Sequence, residues 1–443
     1  TAVDSIENTV MKKMNRRTLI RRSVAVATGF AGLPFIFKSV ARAASPSAGS
    51  RITVGCIGIG WQGGGNMDSF LNENDAQVVA VCDVDANHLR DAKRKVDSTY
   101  GNQDCKAYGD FRDLLARPDI DAVCLSLPDH WHGLIGVAAA KAGKDIFGEK
   151  PLTHNLREGR LLCDAVKDYG RIWQTGSWQR SVSHFRQACE LVRSGRIGKI
   201  HTVEVGLPSG HADFGGTRGR ETACPPPPEL DYDFWLGPAP LAPYCPARVH
   251  KNWRWVLDYG GGQLMDWVGH HVDIAHWGLD LDHTGPVEIE GRGDYPAEGL
   301  WNTATRYRLN AVYENGIQMV IAGGHNDIQD GTKWIGTDGW IHVNRQRMVT
   351  SSDAIRNEPL GTGDIHLFNS PGHTRNFLDC VKSRRQTLTP CETAHRSATV
   401  GHLGQIAMLL ERKIKFNPAT EQILNDPVAE KMLGRTMRSP WLL

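Results

Sequence analysis

A glycine-rich turn between a short apolar run and a helical stretch constrains the fold of this chain more than any other feature. The run Ile52–Ile57 leads into the turn G-I-G-W-Q-G, which begins at Gly58. Gly58 permits a tight turn, Gly60 lets the backbone approach a pyrophosphate, and Gly63 permits close contact between helix and strand. The free N–H groups at the start of the following helix suit phosphate oxygens. This context predicts a Rossmann domain that binds a dinucleotide.

Asp83 extends the predicted cofactor site. It follows the next apolar run, Gln77–Cys82, twenty residues beyond Gly63. Its carboxylate accepts hydrogen bonds from ribose hydroxyls and repels a 2′-phosphate, which favours NAD over NADP. Trp61 and Gln62, inside the glycine turn, are expected to contact the same cofactor. The alternative is a glycine-rich turn of an α/β fold that has lost its ligand.

The patterning along the chain divides it into two folded regions after a leader. Residues 51–175 alternate apolar runs with helical stretches, which is typical of βαβ units and a doubly wound parallel sheet. Residues 176–443 combine helices with alternating strands, which predicts an α+β domain built on a large, mostly antiparallel open sheet. That domain is expected to carry the substrate and oligomer contacts. Two domains also suit a chain of 443 residues.

The first fifty residues have the pattern of a twin-arginine export signal rather than of a folded domain. The pair Arg16-Arg17 is followed by an apolar stretch, Val24–Phe37, and then by the small-residue pattern at Ala41–Ala43. The twin-arginine machinery exports chains that have already folded, so the pattern predicts a periplasmic or otherwise exported protein with no stable membrane span after processing. An uncleaved amphipathic anchor is the alternative.

Charge and cysteine content narrow the functional classes. The formal net charge is +2, so nothing favours a nucleic acid or an anionic membrane as a partner. The ten cysteines contain no C-x-x-C pair and no His/Cys metal pattern, and no metal site is assigned. Cys224 and Cys245 fall in a loop region, where pairing after export stays open.

Two motifs carry reactive groups. Glu149-Lys150-Pro151 follows a predicted strand end, and Asp266 and His270 follow a triple glycine. Residues four apart share a helix face, so Asp266 can orient the imidazole of His270. That imidazole can then take the proton of a hydroxyl as hydride leaves its carbon. A metal bound by Asp266, His270 and another histidine is an alternative, but the sequence shows no closed ligand set for it.

The chain resembles the Gfo/Idh/MocA family, named for glucose–fructose oxidoreductase and inositol dehydrogenase, from about Arg51 onward. The matching features are the glycine turn, the run Ser126–His132, Glu149-Lys150-Pro151 and Asp266-x-x-x-His270. The resemblance implies that Lys150 lies beside the nicotinamide and the reacting hydroxyl. It implies that Asp266 and His270 face a carbohydrate substrate, so these three residues form the predicted catalytic set. A homo-oligomer is also expected from the resemblance.

Further positions are predicted to line the site. Those assigned to the cofactor follow Rossmann strands: Ser126, Pro128, His132, Glu149 and Lys150. Those assigned to the substrate combine aromatic and polar side chains: Gln179, Arg180, Trp253, Arg254, Tyr259 and His271. A buried loop anchor competes for the aromatic ones, and core packing competes for His271.

Three functions remain open at this stage. The first is an exported NAD-dependent oxidoreductase that acts on a secondary hydroxyl of a sugar or polyol and holds its cofactor tightly. The second is an NAD-dependent glycoside hydrolase that oxidises its substrate transiently, eliminates the aglycone and reduces the ketone again. The third is a nucleotide- or sugar-binding protein without catalysis, which an intact Lys150 and Asp266–His270 set argues against.

Overall fold

The computed structural model describes residues 51–443, and the predicted export signal lies outside them. The first domain is built on a parallel sheet, as the sequence predicted, and the sheet has six strands in the order β3-β2-β1-β4-β5-β6. This order places the carboxyl ends of β1 and β4 side by side at the switch point where such sheets bind ligands. The strands are β1 (Ile52–Ile57), β2 (Ala76–Cys82), β3 (Lys106–Tyr108), β4 (Ala122–Leu125), β5 (Asp145–Gly148) and β6 (Trp173–Thr175).

Helices connect these strands and cover the sheet. The local sequence explains their ends, because Asp85, Asp110 and Asn155 each cap the first turn of the helix that follows. The helices are α1 (Trp61–Leu71), α2 (Ala86–Tyr100), α3 (Phe111–Leu115), α4 (Asp129–Lys141) and α5 (Leu156–Asp168).

The second domain contains a nine-stranded, mostly antiparallel sheet with the order β13-β12-β11-β7-β10-β9-β8-β14-β15. The pair β7 and β10 is parallel. Buried residues alternate along β9, where Tyr307, Leu309 and Ala311 point to the core. The strands are β7 (Ile200–Leu207), β8 (Glu288–Asp294), β9 (Arg306–Val312), β10 (Gln318–Gly323), β11 (Gly331–Gly336), β12 (Gly339–Val343), β13 (Met348–Thr350), β14 (Ile414–Asn417) and β15 (Gln422–Ile423).

The second domain also contains helices, some of which pack on this sheet. The helices are α6 (Ser183–Arg193), α7 (Tyr232–Leu236), α8 (Gly262–Trp267), α9 (Asp273–Leu279), α10 (Asp353–Asn357), α11 (His373–Ser383), α12 (Cys391–Leu410) and α13 (Pro427–Lys431). Those that pack on the sheet include α6, α9 and α12. A π-helical turn, Val268–Val272, joins α8 to α9. Within residues 51–443, no helix combines the length and apolarity that crossing a bilayer requires.

The chain returns to the first domain near its end. Phe377 of α11 packs edge-on against Phe70 and Phe147 of the Rossmann core. The Arg375 guanidinium pairs with Asp75, at the start of β2. The order of elements along the sequence predicts none of these long-range contacts.

Candidate active site

A cleft follows the carboxyl edge of the six-stranded sheet and is lined by both domains. Its position agrees with the rule that open α/β sheets bind ligands where the strand order reverses. The predicted residues that line it are Gly58, Gly60, Trp61, Gln62, Gly63, Asp83, Ser126, Pro128, Glu149, Lys150, Trp253, Arg254, Asp266 and His270. The structure therefore brings the glycine turn and the predicted catalytic residues into one cavity.

The glycine turn has no room for side chains at two of its positions. Gly58 has a φ of +77°, and a Cβ there would lie 2.4 Å from the Ser126 carbonyl oxygen. A Cβ on Gly63 would lie 1.9 Å from the Gly58 carbonyl oxygen. The Asp83 carboxylate accepts a hydrogen bond from the Ile59 amide at 2.9 Å, and no side chain caps α1. This open, cradle-shaped helix start suits a pyrophosphate.

Glu149 connects the glycine turn to Lys150, the predicted catalytic lysine. Its Oε1 accepts hydrogen bonds from Asn66 Nδ2 at 2.9 Å and from Gln62 Nε2 at 3.4 Å. Asn66 also donates to Ser126 Oγ at 2.9 Å. Asn66 was not among the predicted site residues, although Asn66 lies in the helix predicted after the glycine turn. These bonds hold the ends of β4 and β5 against the start of α1.

Lys150 and Asp266 form an ion pair between the two domains. Lys150 Nζ donates to Asp266 Oδ1 at 2.9 Å and to the Asp266 carbonyl at 2.8 Å. Arg254 Nε donates to the same Oδ1 at 3.1 Å. Burial alone raises the pKa of Asp266, but the charges of Lys150 and Arg254 hold it well below its usual range. Asp266 is therefore an anion that positions two cations.

His270 lies in the cleft without the hydrogen bond to Asp266 that the spacing predicted. α8 ends at Trp267, and the π-helical turn that follows changes the angle between the two side chains. In addition, the Asp266 carboxylate already forms ion pairs with Lys150 and Arg254. His270 is 5% exposed, and burial, reinforced by the charges of Lys150 and Arg345, lowers its pKa. A neutral imidazole is a competent proton acceptor.

Asp129, the first residue of α4, is a cleft residue to which the sequence analysis gave no role. It is 4% exposed and lines the cavity. Burial raises the pKa of its carboxyl well above the ordinary value, with Asp266 adding to the rise and Arg254 and Lys150 opposing it. Burial thus favours the protonated form of Asp129, which can donate a hydrogen bond or a proton. Its position in the Ser126–His132 run, which carries part of the family resemblance, could have indicated that it lies in the site.

Arg180 and Tyr259, predicted to contact substrate, are buried away from the cleft. Arg180 is 2% exposed and forms ion pairs with Asp273 and Asp282. The Tyr259 hydroxyl accepts a hydrogen bond from Arg248 at 3.1 Å. The polar groups of both side chains are engaged inside the protein, so the structure does not place them among the groups that face the cleft.

His132, Gln179 and His271 also lie outside the cleft lining. The two ring nitrogens of His132 contact the carbonyls of Pro151 and Leu127 at 2.7 and 2.9 Å. Gln179 is buried beneath the cleft, with its amide nitrogen 3.4 Å from His271 Nδ1. His271 is fully buried and stacks on Trp267. The structure therefore does not bring these three predicted contact residues to the surface of the cleft.

Three further residues of the second domain line the cleft beside His270, and the sequence did not predict them: Trp178, Trp267 and Arg345. Arg345, just beyond β12, places its guanidinium 4.3 Å from the ring centroid of Trp267 and 5.0 Å from that of Trp178. Trp178 was visible next to Gln179 in the sequence. The local sequence around Arg345 does not indicate that it lines the cleft, because only the folding of the sheet brings this residue there.

At the opposite end of the cleft, Asp85, His88 and His250 lie beside Asp83. Their potential ligand atoms lie within 4.8 Å of one another, as metal ligands do. The Asp85 carboxylate also caps α2. This cluster occupies the end where Asp83 is expected to meet the adenosine ribose, and we assign it no metal.

A segment of the second domain, residues 208–261, closes over that same end and is called the clasp. Leu230 forms a β-bridge with Asp85, and Asp231 N donates to the Val84 carbonyl at 3.0 Å. The Trp131 indole of α4 donates to the Trp235 carbonyl at 3.0 Å. The C-terminal segment secures the clasp in turn, because Arg438 N donates to the Pro238 carbonyl at 3.0 Å.

Comparisons with known proteins cover both domains. A Gfo/Idh/MocA model described as an oxidoreductase family with an NAD-binding Rossmann fold matches residues 52–177. The companion model, described as the oxidoreductase family C-terminal alpha/beta domain, matches residues 181–443. The aldose–aldose oxidoreductase of Caulobacter crescentus, solved with glycerol, has a TM-score of 0.61 at 16% identity. The match covers 83% of this chain and all of that one, and at this identity it shows the fold.

Sequence relatives match over shorter stretches. Myo-inositol 2-dehydrogenase of Thermotoga maritima is 31% identical over 179 residues, which are 40% of this chain and 47% of that protein. The glycosyl hydrolase family 109 protein 2 of Shewanella sp. (strain ANA-3) is 30% identical over 210 residues, 43% of this chain and 45% of that protein. The matched region spans just under half the length of these two curated relatives.

Proposed function

The chain belongs to the Gfo/Idh/MocA oxidoreductase family, and from that premise we propose that it oxidises a secondary hydroxyl of a sugar or polyol. The observation that carries this proposal is the convergence of Lys150, Asp266 and His270 in the cleft that begins at the glycine turn. The relatives named for inositol and for aldoses support the substrate class.

The protein groups divide the work at the reacting hydroxyl. NAD, when bound along the glycine turn, supplies the hydride acceptor. The Lys150 ammonium, held by Asp266, donates a hydrogen bond to the substrate oxygen and favours its developing negative charge. His270 is neutral and buried, so it accepts the hydroxyl proton. Asp266 acts through Lys150 and Arg254, with which it forms ion pairs.

We further propose that the cofactor stays bound throughout turnover and that the protein works outside the cytoplasm. The clasp supports the first point, because its Leu230 forms a bridge with Asp85, two residues from the Asp83 carboxylate that we expect to bind the adenosine ribose. The twin-arginine pattern at Arg16-Arg17 supports the second. A captive cofactor must be reset inside the cleft, by a second substrate or by return of hydride to the first.

The test starts with protein purified from the native export route without added nucleotide. Its absorbance should show bound NAD(H), and free sugars and polyols should change the absorbance of the reduced nicotinamide. Sugars are offered singly and then with a ketone or aldose acceptor. If purified protein with NAD bound shows no hydride transfer with any member of a broad sugar and polyol panel, the oxidoreductase proposal fails.

Asp83→Asn is expected to relax a preference for NAD over NADP by at least about tenfold. The substituted amide keeps an acceptor for the Ile59 N–H while removing the charge that repels a 2′-phosphate, a repulsion of up to about 4 kcal/mol for unit charges 4 Å apart at a protein surface. NAD and NADP are offered together to nucleotide-free protein, and the bound ratio is measured by chromatography. Asp91→Asn, on the exposed side of α2, is the control. An unchanged ratio in Asp83→Asn would remove this role.

The second candidate function is the redox-neutral glycoside hydrolase, and the position of Asp129 in the cleft favours it. One hydride transfer needs a base for one hydroxyl, whereas in this cleft burial favours the neutral form of His270, a base, and the protonated form of Asp129, an acid. Elimination of an aglycone from an oxidised sugar uses such an acid to protonate the departing oxygen. The match to the glycosyl hydrolase family 109 protein agrees with this candidate.

For the hydrolase, Asp129→Asn is expected to slow cleavage of alkyl glycosides by roughly 10²-fold or more. Aryl glycosides with a 4-nitrophenol leaving group need little protonation and should lose much less. Aglycone release and nucleotide absorbance are followed together in the parent protein and the variant. Equal losses for the two glycoside classes, or the absence of glycoside cleavage by the parent protein, would dismiss this candidate and leave the oxidoreductase proposal standing.

A further inference from the structure

The guanidinium of Arg345 lines the cleft beside His270, at the end where we expect the substrate, and most of its N–H donors have no partner among the described residues. Arg345 Nε donates to Gln179 Oε1 at 3.2 Å, and this is its only side-chain hydrogen bond to the part of the chain that the structure describes. The guanidinium lies over the indoles of Trp178 and Trp267. Cation–π contacts on both indoles hold the planar group in place. The outer nitrogens therefore remain available to a ligand.

Arg345 differs in this respect from the neighbouring cations. Lys150 and Arg254 both pair with Asp266, so the protein itself already fixes both side chains, although a single carboxylate balances only one of their two charges. Lys251 has no acidic partner in the described chain, but its ammonium lies 5.0 Å from the centroid of Trp61, in the glycine turn. It thus faces the half where the cofactor phosphates are expected. Arg345 lies beside His270 and forms no salt bridge within residues 51–443, although the carboxylates of Asp330 and Asp266 are near enough to act on its charge.

A partly exposed arginine held between aromatic rings is a suitable anion receptor. Its five N–H donors form a rigid fork that fits the paired oxygens of a carboxylate or a sulfate ester. Trp178 is 40% exposed and presents an indole beside the fork, and an aromatic face suits the C–H face of a sugar ring. The held guanidinium loses little freedom on binding, which lowers the entropic cost of recognition.

We propose that the substrate is an acidic sugar, and that Arg345 binds its carboxylate or sulfate group while the hydroxyl to be oxidised faces His270. This inference rests on the proposed oxidoreductase function and adds the charge of the substrate to it. Trp178 and Trp267 flank the anion site, and Gln179 fixes the orientation of the guanidinium from below.

The test compares matched neutral and acidic sugars. The panel contains glucose, galactose and mannose, the corresponding uronic acids, and the 6-sulfates of the same hexoses. Protein with its nucleotide bound is titrated with each, and tryptophan fluorescence is recorded together with nicotinamide absorbance. Acidic members should quench the fluorescence and have kcat/KM at least about tenfold above their neutral partners, and sodium chloride should weaken that preference. The uronic acid and sulfate series show which anion is preferred.

Arg345→Met keeps much of the length of the side chain and removes its charge. It should lower kcat/KM for the acidic sugars at least about tenfold more than for the neutral ones and abolish the salt dependence. Arg347→Met, an exposed position outside the cleft, is the matched control and should leave both series unchanged. Use of neutral sugars as readily as acidic ones, or no fluorescence response to any acidic sugar, would overturn the proposal. Hydride transfer from neutral sugars alone would leave the oxidoreductase proposal intact.

Discussion

His270→Ala is expected to lower kcat by roughly 10²–10⁴-fold, the usual loss when a general base is removed. The imidazole is buried in the cleft, and burial keeps it neutral by lowering its pKa. No other neutral imidazole among the described residues lines the catalytic half of the cleft. Steady-state rates with the best sugar from the panel, at saturating substrate, provide the measurement.

Two controls separate lost chemistry from lost structure. His270→Gln fills more of the volume and still provides no base, so it should be nearly as slow as the alanine variant. Both proteins should keep their bound nucleotide and melt close to the parent temperature. If either variant turns over within about tenfold of the parent while folded and loaded, His270 is not the base.

The lowered pKa of His270 also predicts the pH profile. An ordinary histidine gains a proton near about pH 6.5, whereas His270 stays neutral below that value because burial and the charges of Lys150 and Arg345 disfavour its protonation. The acid limb of kcat/KM in the parent enzyme should therefore lie below that ordinary pKa. A limb at or above it would contradict a neutral, buried base.

Lys150→Met is expected to lower kcat by roughly 10²–10³-fold, the loss typical of removing one preorganised charge from a developing oxyanion. Methionine retains the apolar stem, and Asp266 keeps Arg254 as a partner, so the cleft should stay folded. The effect should appear in kcat more than in KM, since the charge on the reacting oxygen develops in the transition state.

Lys141→Met, at the exposed end of α4, is the matched control for Lys150→Met and should behave as the parent. Bound nucleotide is quantified in both proteins before the assay. If Lys150→Met changes only KM, the lysine binds substrate without assisting the chemistry, and its proposed role at the reacting hydroxyl is wrong.

The sequence predicted the Rossmann domain well because its signals are local. The glycine turn at Gly58, the apolar strands and the Asp83 position lie close together along the chain, and their spacing follows from the geometry of one βαβ unit. The same reasoning correctly predicted the antiparallel sheet of the second domain. Helix α2 is harder to predict, because only Ala92 and Val96 of this largely polar and charged helix are buried, so its apolar pattern is weak.

Side-chain partners could not be predicted in the same way. Arg180 follows the last Rossmann strand, as a cleft residue would, yet it is buried because Asp273 and Asp282 surround it. The spacing of Asp266 and His270 suggested a hydrogen bond that the π-helical turn and the competing Lys150 prevent. The identity of an arginine or an aspartate does not show which charges the rest of the chain brings to it.

The sequence by itself determined the cofactor turn, the two-domain architecture and the residue types that can move a hydride and a proton. These depend on short-range geometry that a few residues specify. Only the tertiary structure decided which groups share the cleft, because Lys150 meets Asp266 across 116 positions of the chain and Arg345 meets Trp178, which lies far from it in the sequence. Burial then set the protonation of His270 and Asp129, since desolvation depends on everything that surrounds a group rather than on its neighbours in sequence.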